Sequence, residues 1–476
     1  MPQGLLRRAF LCPSFGRLFA RDSDKIAKGH APDKTKRNVT FHHPSEYFTM
    51  SNAPRIGSRL DAPKGLRLYI GLFGRRNAGK SSLINALTNQ NLSIVSDVAG
   101  TTTDAVEKAC ELAPIGPVVF IDTAGVDDVG ALGQLRVERT LSLLAWMDVA
   151  LIVCDAKGLS QEDTELLADA RSRKIPIVAV INKADTVDAE RLEATCAQIR
   201  ALGLTPVITS ASQKKGIDEL RAAITELVQK EASPDLPLMG DLVKPGDTVL
   251  LVTPIDTGAP KGRLILPQVQ AIREILDADA KCIVVRENRV REAIEEMKTP
   301  PAFVVTDSQA VLNVCEQTPE SIPVTTFSIQ MAFAKSDLVE MARGAAMLEF
   351  LRPGDKVMVC ETCSHHPQPD DIGRKKIPRW LAKKVGGELD VEVVVGKDFP
   401  ADLTPYRVIL QCGGCVVTRR HMLSRVAAAV AQGVPMTNYG VAISYLQGVL
   451  PRALQLHPEA FEAYRQAREL LARKNQ

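Results

Sequence analysis

The stretch "GRRNAGKSS", Gly74 to Ser82, decides the fold of the first part of this 476-residue chain. It follows an apolar run, "LYIGLF", and opens a helical one, "SSLINALT". Gly-x4-Gly-Lys-Ser between a strand and a helix is a phosphate-binding loop. Its glycines let backbone N–H groups curl around the β- and γ-phosphates, and the helix N-terminus adds a favourable dipole. Gly74, Asn77, Ala78, Gly79, Lys80, Ser81 and Ser82 are expected to form the loop. Lys80 would reach the phosphates, and Ser81 would give an oxygen to Mg2+.

The text downstream supplies the rest of a nucleotide site in order. In "GTTTD", Gly100 to Asp104, Thr102 is the expected magnesium-binding switch threonine, with Thr101 the neighbouring alternative. "DTAG" ends a strong strand at Asp122–Gly125. Asp122 fits the carboxylate that holds the Mg2+ ion through its water shell, and the Gly125 N–H fits the γ-phosphate. "NKAD" closes a later strand with Asn182, Lys183 and Asp185. Asp185 can accept from both N1–H and the 2-amino group of guanine. Adenine has neither donor and would leave a buried carboxylate unpaired. "TSAS", Thr209 to Ser212, adds a backbone donor for guanine O6 around Ser210 and Ala211. Each element alone is as readily a turn or a cap; together and in order they predict a GTP site.

Val126 follows "DTAG" where Ras-like proteins place the glutamine that orients water. Slow intrinsic hydrolysis and a switching role are therefore expected. The loop "GRRNAGKS" resembles that of the TrmE–Era class of GTPases. The resemblance implies that Asn77 helps to bind a potassium ion in place of an arginine finger. Lys80, Thr102 and Asn77 are then the expected catalytic residues, with GTP, Mg2+ and K+ as cofactors.

Strand-like runs alternate with amphipathic helical text from about Leu66: "LRLYIGLFG", "PVVFIDTAG", "VALIVCDA", "IPIVAVINKAD" and "TPVITSAS". Apolar on both faces and separated by helices, such strands predict a parallel sheet with crossover connections. A linker-like stretch, "EASPDLPLMGDLVKPGD", closes this region at 231–247, and the β–α rhythm then restarts twice. The expectation is an α/β chain: a P-loop GTPase domain at 66–232, a second α/β domain at 243–327 and a third at 328–476, with mainly parallel sheets. The third should begin with one long helix, "SIQMAFAKSDLVEMARGAAMLEFL".

Bulk composition narrows the partners. A net charge of +3 and 4% aromatic residues argue against a nucleic-acid surface or a base-stacking platform. No apolar run approaches the ~18 residues of a membrane span. Residues 1–65 are an N-terminal extension set apart from the fold. "MPQGLLRRAFLCPSFGRLFAR", with four arginines before its first acid, has the composition of an organellar transit peptide. The alternative is a true start at Met50, which makes cytoplasmic location the leading expectation and an organelle the other.

Six of the ten cysteines are scattered singly in apolar text, as buried free thiols are. The other four stand in "VCETCSHHPQPDDIG", Val359 to Gly373, and "LQCGGCVV", Leu410 to Val417. Read by spacing alone, Cys360-x-x-Cys363 and Cys412-x-x-Cys415 are a strong metal signal, and zinc is its commonest meaning. Each pair closes a strand of an α/β block, however, where the carboxyl ends form the usual ligand crevice. Gly413 and Gly414 also let main-chain N–H groups approach closely, as cluster sulfides favour. An iron–sulfur cluster, zinc and plain thiols all fit these residues. Beside them, "PDDIGRKKIPRW" places Asp370, Asp371, Arg374, Lys375, Lys376 and Arg379 either on a solvated turn or on a charged rim.

The loop "GRRNAGKSSLINALTNQ", the region "CSHHPQPDDIGRKKIPRWL" and "CGGC" together resemble the HydF family, the maturation GTPases of iron–iron hydrogenases. The resemblance runs from about Leu66 to the C-terminus. It implies a GTPase domain, a dimerisation domain and a domain holding a 4Fe–4S cluster. It also implies a homodimeric scaffold that receives a diiron precursor, built with two radical-SAM maturases, and hands it to apo iron–iron hydrogenase. Carried over by position, the cluster ligands are Cys363, Cys412 and Cys415, with His365 a candidate fourth. Gln411 stands where many relatives have a histidine, so the fourth position is also open to a water or to a bridge from the delivered unit. Cys360 lies outside the family's pattern. The same motifs are also compatible with an Era-like RNA- or ribosome-associated GTPase with a zinc appendage, and with a redox enzyme under nucleotide control.

Overall fold

The computed structural model describes residues 65, 67–88, 106–123, 140, 143–144, 146–231, 236–255, 264–362, 371–396 and 399–474. Thr101, Thr102, Gly125, Cys363 and His365, with Val126, His366 and Asp370, lie outside the described residues.

The first sheet has the order β2-β3-β1-β4-β5-β6: β1 is Leu68–Phe73, β2 Val106–Leu112, β3 Gly116–Asp122, β4 Val149–Asp155, β5 Ile177–Asn182 and β6 Pro206–Ile208. Its central strands are covered on both sides, which explains their unbroken apolar text. Ile70, Leu72, Val118 and Phe120 pack with Leu83 and Leu87 of the helix Lys80–Thr88 and with Leu220 and Ile224 of the helix Ile217–Glu231. The alternate residues Tyr69, Phe73, Val119 and Ile121 pack with Leu166, Leu167 and Trp146 on the other face. The edge strand β2 pairs antiparallel with β3 and stands outside the set of strands read from the sequence. Half exposed, "VEKACEL" lacks the double-sided apolar signature of its neighbours.

The second sheet, β10-β9-β7-β8, is parallel throughout: β7 is Thr248–Val252, β8 Lys281–Val285, β9 Phe303–Thr306 and β10 Val324–Thr326. Its edge strand β8 leaves Ile283 and Val284 exposed, with Val269 and Leu276 exposed on the helix Leu266–Asp277. The third sheet, β12-β11-β13-β14, is also parallel: β11 is Lys356–Glu361, β12 Asp390–Val395, β13 Val408–Gln411 and β14 Met436–Asn438. The long helix expected at the start of this block is instead two, Phe327–Lys335 and Leu338–Ala345. Asp337 divides them, its carboxylate accepting the Glu340 N–H at 3.0 Å as an N-cap. The first of these helices serves two cores. Phe327, Met331 and Ala334 pack with the second sheet, and Ile329 and Ala332 with the third.

Candidate functional site

The phosphate loop turns from β1 into the helix Lys80–Thr88 through left-handed backbone, with φ of 135° at Gly74, 61° at Asn77 and 91° at Gly79. A Cβ at Gly74 would stand 2.2 Å from the Val153 carbonyl oxygen, so only glycine fits there. Lys80 is buried, and its ammonium donates to the carbonyls of Gly74 and Arg75, both at 2.8 Å. The Ser81 hydroxyl donates to the Asp122 carboxylate at 2.5 Å. This joins the helix start to the end of β3 and brings together two oxygen groups suited to a hydrated Mg2+.

Asn182, at the end of β5 and 1% exposed, links three segments of the site. Its amide donates to the Ala78 carbonyl at 2.9 Å, and its side-chain oxygen accepts from Ala211 N at 3.1 Å and the Thr209 hydroxyl at 3.2 Å. The phosphate loop and "TSAS" are thereby fixed to "NKAD". Lys183 adopts a left-handed φ of 62° and pairs with Asp155 at 3.0 Å. Asp185 is exposed and accepts from the Ser210 hydroxyl at 2.5 Å and the Ser212 hydroxyl at 3.4 Å. Those bonds, Ser210's first, hold its carboxyl below the usual carboxylate range. An exposed, ionised carboxylate beside a fixed backbone N–H is suited to the edge of guanine. The Arg75–Asp163 pair, at 3.2 Å, carried no motif; its acid is 1% exposed and pushed upward by burial.

At the cysteine region, parallel pairing does what the sequence separates. Cys360 in β11 stands opposite Gln411 in β13, and the Cys412 N–H donates to the Cys360 carbonyl at 2.9 Å. The end of β11, through Thr362, and the start of "CGGC" are therefore neighbours. Cys360 itself is fully buried among Met358, Leu403, Ile409 and Val426, and burial pushes its thiol up to about 12. It packs as core.

Cys412 is only half-buried, and its sulfur faces three polar groups. Thr362 N–H donates to it at 3.3 Å, the Thr362 hydroxyl lies at 3.2 Å, and the Gln411 amide donates at 3.4 Å. Cys415 lines a cavity of about 170 Å³ with Gly413, Tyr439, Asp307, Ser308 and Phe327. The wall thus comes from the ends of both parallel sheets. Tyr439 Oη and Ser308 Oγ are buried there without a hydrogen-bond partner among the described residues. A half-exposed sulfur that accepts N–H bonds, beside a second cysteine opening on a cavity, fits the described half of an iron–sulfur ligand set.

Asp371, Arg374 and Lys376 of the charged run beside this loop turn inward, whereas Lys375 and Arg379 are exposed. Asp371 is buried and accepts Arg374 N–H at 2.9 Å, while the Arg374 guanidinium holds buried Glu361 through bonds of 3.0 and 2.8 Å. A Cβ at Gly373 would stand 2.3 Å from Tyr439 Oη and 2.8 Å from Glu361 Oε1, so the pair can close only over glycine. Lys376 reaches Gln309 at 2.6 Å. Two further contacts link residues beside the first sheet to residues beside the third. The Lys335 ammonium, 2% exposed, donates to Gly65 O at 2.8 Å and Val417 O at 3.0 Å, and His421 stacks on Trp146 with ring centroids 5.2 Å apart. No residue pattern in the sequence announced either.

Comparison with known proteins matches three successive stretches of the chain. A family described as 50S ribosome-binding GTPase matches residues 69–183. Residues 238–336 match the hydrogen maturase F dimerization domain, and residues 339–456 the hydrogen maturase F tetramerization domain. The chain belongs to the hydrogen maturase F family. Among curated relatives of its GTPase part, GTPase Der of Sulfurihydrogenibium sp. is 40% identical over 32% of this chain and 36% of its own length. GTPase Der of Nitratiruptor sp. is 30% identical over 48% and 57%, and the tRNA modification GTPase MnmE of Cyanothece sp. 35% over 38% and 39%. The chain thus spans from about a third to just over half the length of these relatives. Among solved structures, elongation factor SelB of Methanococcus maripaludis with the GTP analogue GPPNHP aligns with 34% of each chain at 24% identity and a TM-score of 0.29, too low to bear on the fold. As a hydrogen maturase F, the chain carries a P-loop GTPase domain, further α/β domains with mainly parallel sheets, and two domains named for oligomer formation. No helix among its described residues is long and apolar enough to cross a membrane.

Proposed function

We propose that this protein is a GTP-hydrolysing scaffold that holds a 4Fe–4S cluster and delivers the diiron subcluster to apo iron–iron hydrogenase. The observation that carries this reading is the half-buried Cys412 sulfur, met by donors from Thr362 and Gln411, three residues before Cys415, which lines the cavity with Gly413. Cys363, Cys412 and Cys415 would hold the cluster, with His365 the candidate for its fourth position. Bound there, the cluster supplies an iron able to take an added ligand. The protein's own contribution is to hold the sulfurs at two neighbouring strand ends and to keep the cavity beside them open.

In the nucleotide site, Lys80 would neutralise the phosphates. Ser81, Asp122 and Thr102 would hold Mg2+, Asn77 would support a K+ ion, and Asp185 would read guanine. Gly74, Ala78, Gly79, Ser82, Thr101 and Gly125 complete the phosphate side, with Asn182, Lys183, Ser210 and Ala211 on the base side. K+ dependence is checked by comparing hydrolysis in KCl and NaCl. The partners in this reading are the two radical-SAM maturases, the apo-hydrogenase and a second copy of the chain. The exposed apolar edge at Ile283 and Val284 suits pairing with that copy. The domain divisions at 66–232, 243–327 and 328–476 belong to the same reading.

The deciding experiment is anaerobic transfer. Protein loaded in the presence of the maturases, then re-isolated, should activate apo-hydrogenase to evolve hydrogen. Cys412→Ala protein treated in the same way should not. Equal activation by both would overturn the proposal.

A further inference from the structure

Gln411 is fully buried at the end of β13, immediately before the ligand candidate Cys412. Its side-chain oxygen accepts from Arg425 Nη1 at 2.9 Å. A guanidinium has only donors, so this bond fixes which end of the amide is oxygen. The nitrogen end must then face the other way, and it lies 3.4 Å from Cys412 Sγ and 3.4 Å from the Cys412 carbonyl oxygen. Arg425 is in turn held. It is 2% exposed, its Nη2 donates to Gly396 O at 2.8 Å, and its guanidinium lies 5.1 Å from the centre of the Phe399 ring.

We infer that Gln411 is not an iron ligand but a positioning residue, oriented by Arg425, whose amide N–H tunes the cluster through Cys412 Sγ. The inference rests on the cluster reading above. N–H bonds to a ligating cysteine sulfur draw off negative charge and favour the reduced cluster, so they raise its potential. With both ends of the amide engaged inside the protein, the fourth iron position must be filled from elsewhere.

The test is an anaerobic EPR redox titration of the reconstituted full-length protein and of three variants. Gln411→Glu keeps the shape and the Arg425 contact but replaces the donating nitrogen with an acceptor. Gln411→Leu removes both, and Arg425→Lys retains a cationic donor. Both Gln411 variants should retain iron at wild-type stoichiometry while the midpoint potential moves to more negative values. Arg425→Lys should lie nearer the wild type. Unchanged potentials in Gln411→Glu and Gln411→Leu would overturn the inference, as would loss of iron from Gln411→Leu with iron retained in Gln411→Glu, which would mark position 411 as a ligand. Failure of the wild-type protein to take up iron is a separate outcome, which would overturn the cluster reading itself.

Discussion

The nucleotide loop and the cysteine loop are built by opposite means. In the first, Gly74 to Ser82 is one continuous turn, and the bonds from Ser81 to Asp122 and from Asn182 to Ala78 fasten it to adjacent strand ends. In the second, Thr362 and Cys412 are 50 positions apart, and the parallel pairing of β11 with β13 brings them together. A local backbone requirement leaves a local motif. A site made by strand register leaves two cysteine pairs far apart in the chain, and its supports leave nothing. The difference predicts that substitutions in the first site act on GTP alone, whereas removing a ligand cysteine or the Arg374 support of the second acts on metal retention.

The largest separation should come from Lys80→Ala. GTP turnover should fall by about 10²-fold or more, on the scale of removing one preorganised transition-state donor, while iron content stays at the wild-type level. Loss of iron in parallel would break the comparison. Asp185→Asn should weaken GDP binding by about tenfold to a hundredfold, the loss expected for hydrogen bonds to a charged group, as read by isothermal titration calorimetry. An unchanged affinity would remove Asp185 from the guanine edge.

On the other side, Arg374→Ala should lower the urea midpoint and loosen the cysteine loop together, because it leaves buried Glu361 unpaired. A cost of about 2 kcal/mol is expected, less than for a fully buried pair because the arginine is partly exposed. Stability without change in metal retention would show that the pair serves the fold alone.

The smallest effect sharpens the contrast by pH. His457 packs against Phe333 and contacts Gln330 at 3.0 Å, and burial lowers its pKa to about 4. The neutral ring is favoured in the fold, so its contribution is present above the unfolded pKa of about 6.5 and is lost as pH falls from there towards about 4. By pH 5.5 this should amount to about 1 kcal/mol of lost stability. Chemical unfolding of His457→Gln should show a correspondingly shallower decline; identical slopes would discount the buried ring.

The sequence was most readable where backbone geometry demands particular residues. The phosphate loop, the central strands of the first sheet and the restart of the β–α rhythm are all legible, because glycine turns and double-sided apolar runs have few other uses. Strand β2 was not legible, since an edge strand exposed on one face loses that signature. The helix break at Asp337 was hidden because the apolar spacing continues across it and only the cap reveals it. Around Cys412, Thr362 and Arg425 became visible only when strand and helix packing brought them to one sulfur and one amide. The charges of Arg374 and Asp371, ambiguous in sequence, proved to be internal partners of Glu361 and of the turn.

The central claim is tested most directly by metal analysis and EPR after anaerobic reconstitution with iron and sulfide. The account predicts about four irons per chain and a cluster signal, both abolished in Cys412→Ala and retained in Cys360→Ala, whose side chain lies in the core. Stoichiometric zinc with no iron, or loss of the cluster in Cys360→Ala alone, would contradict it.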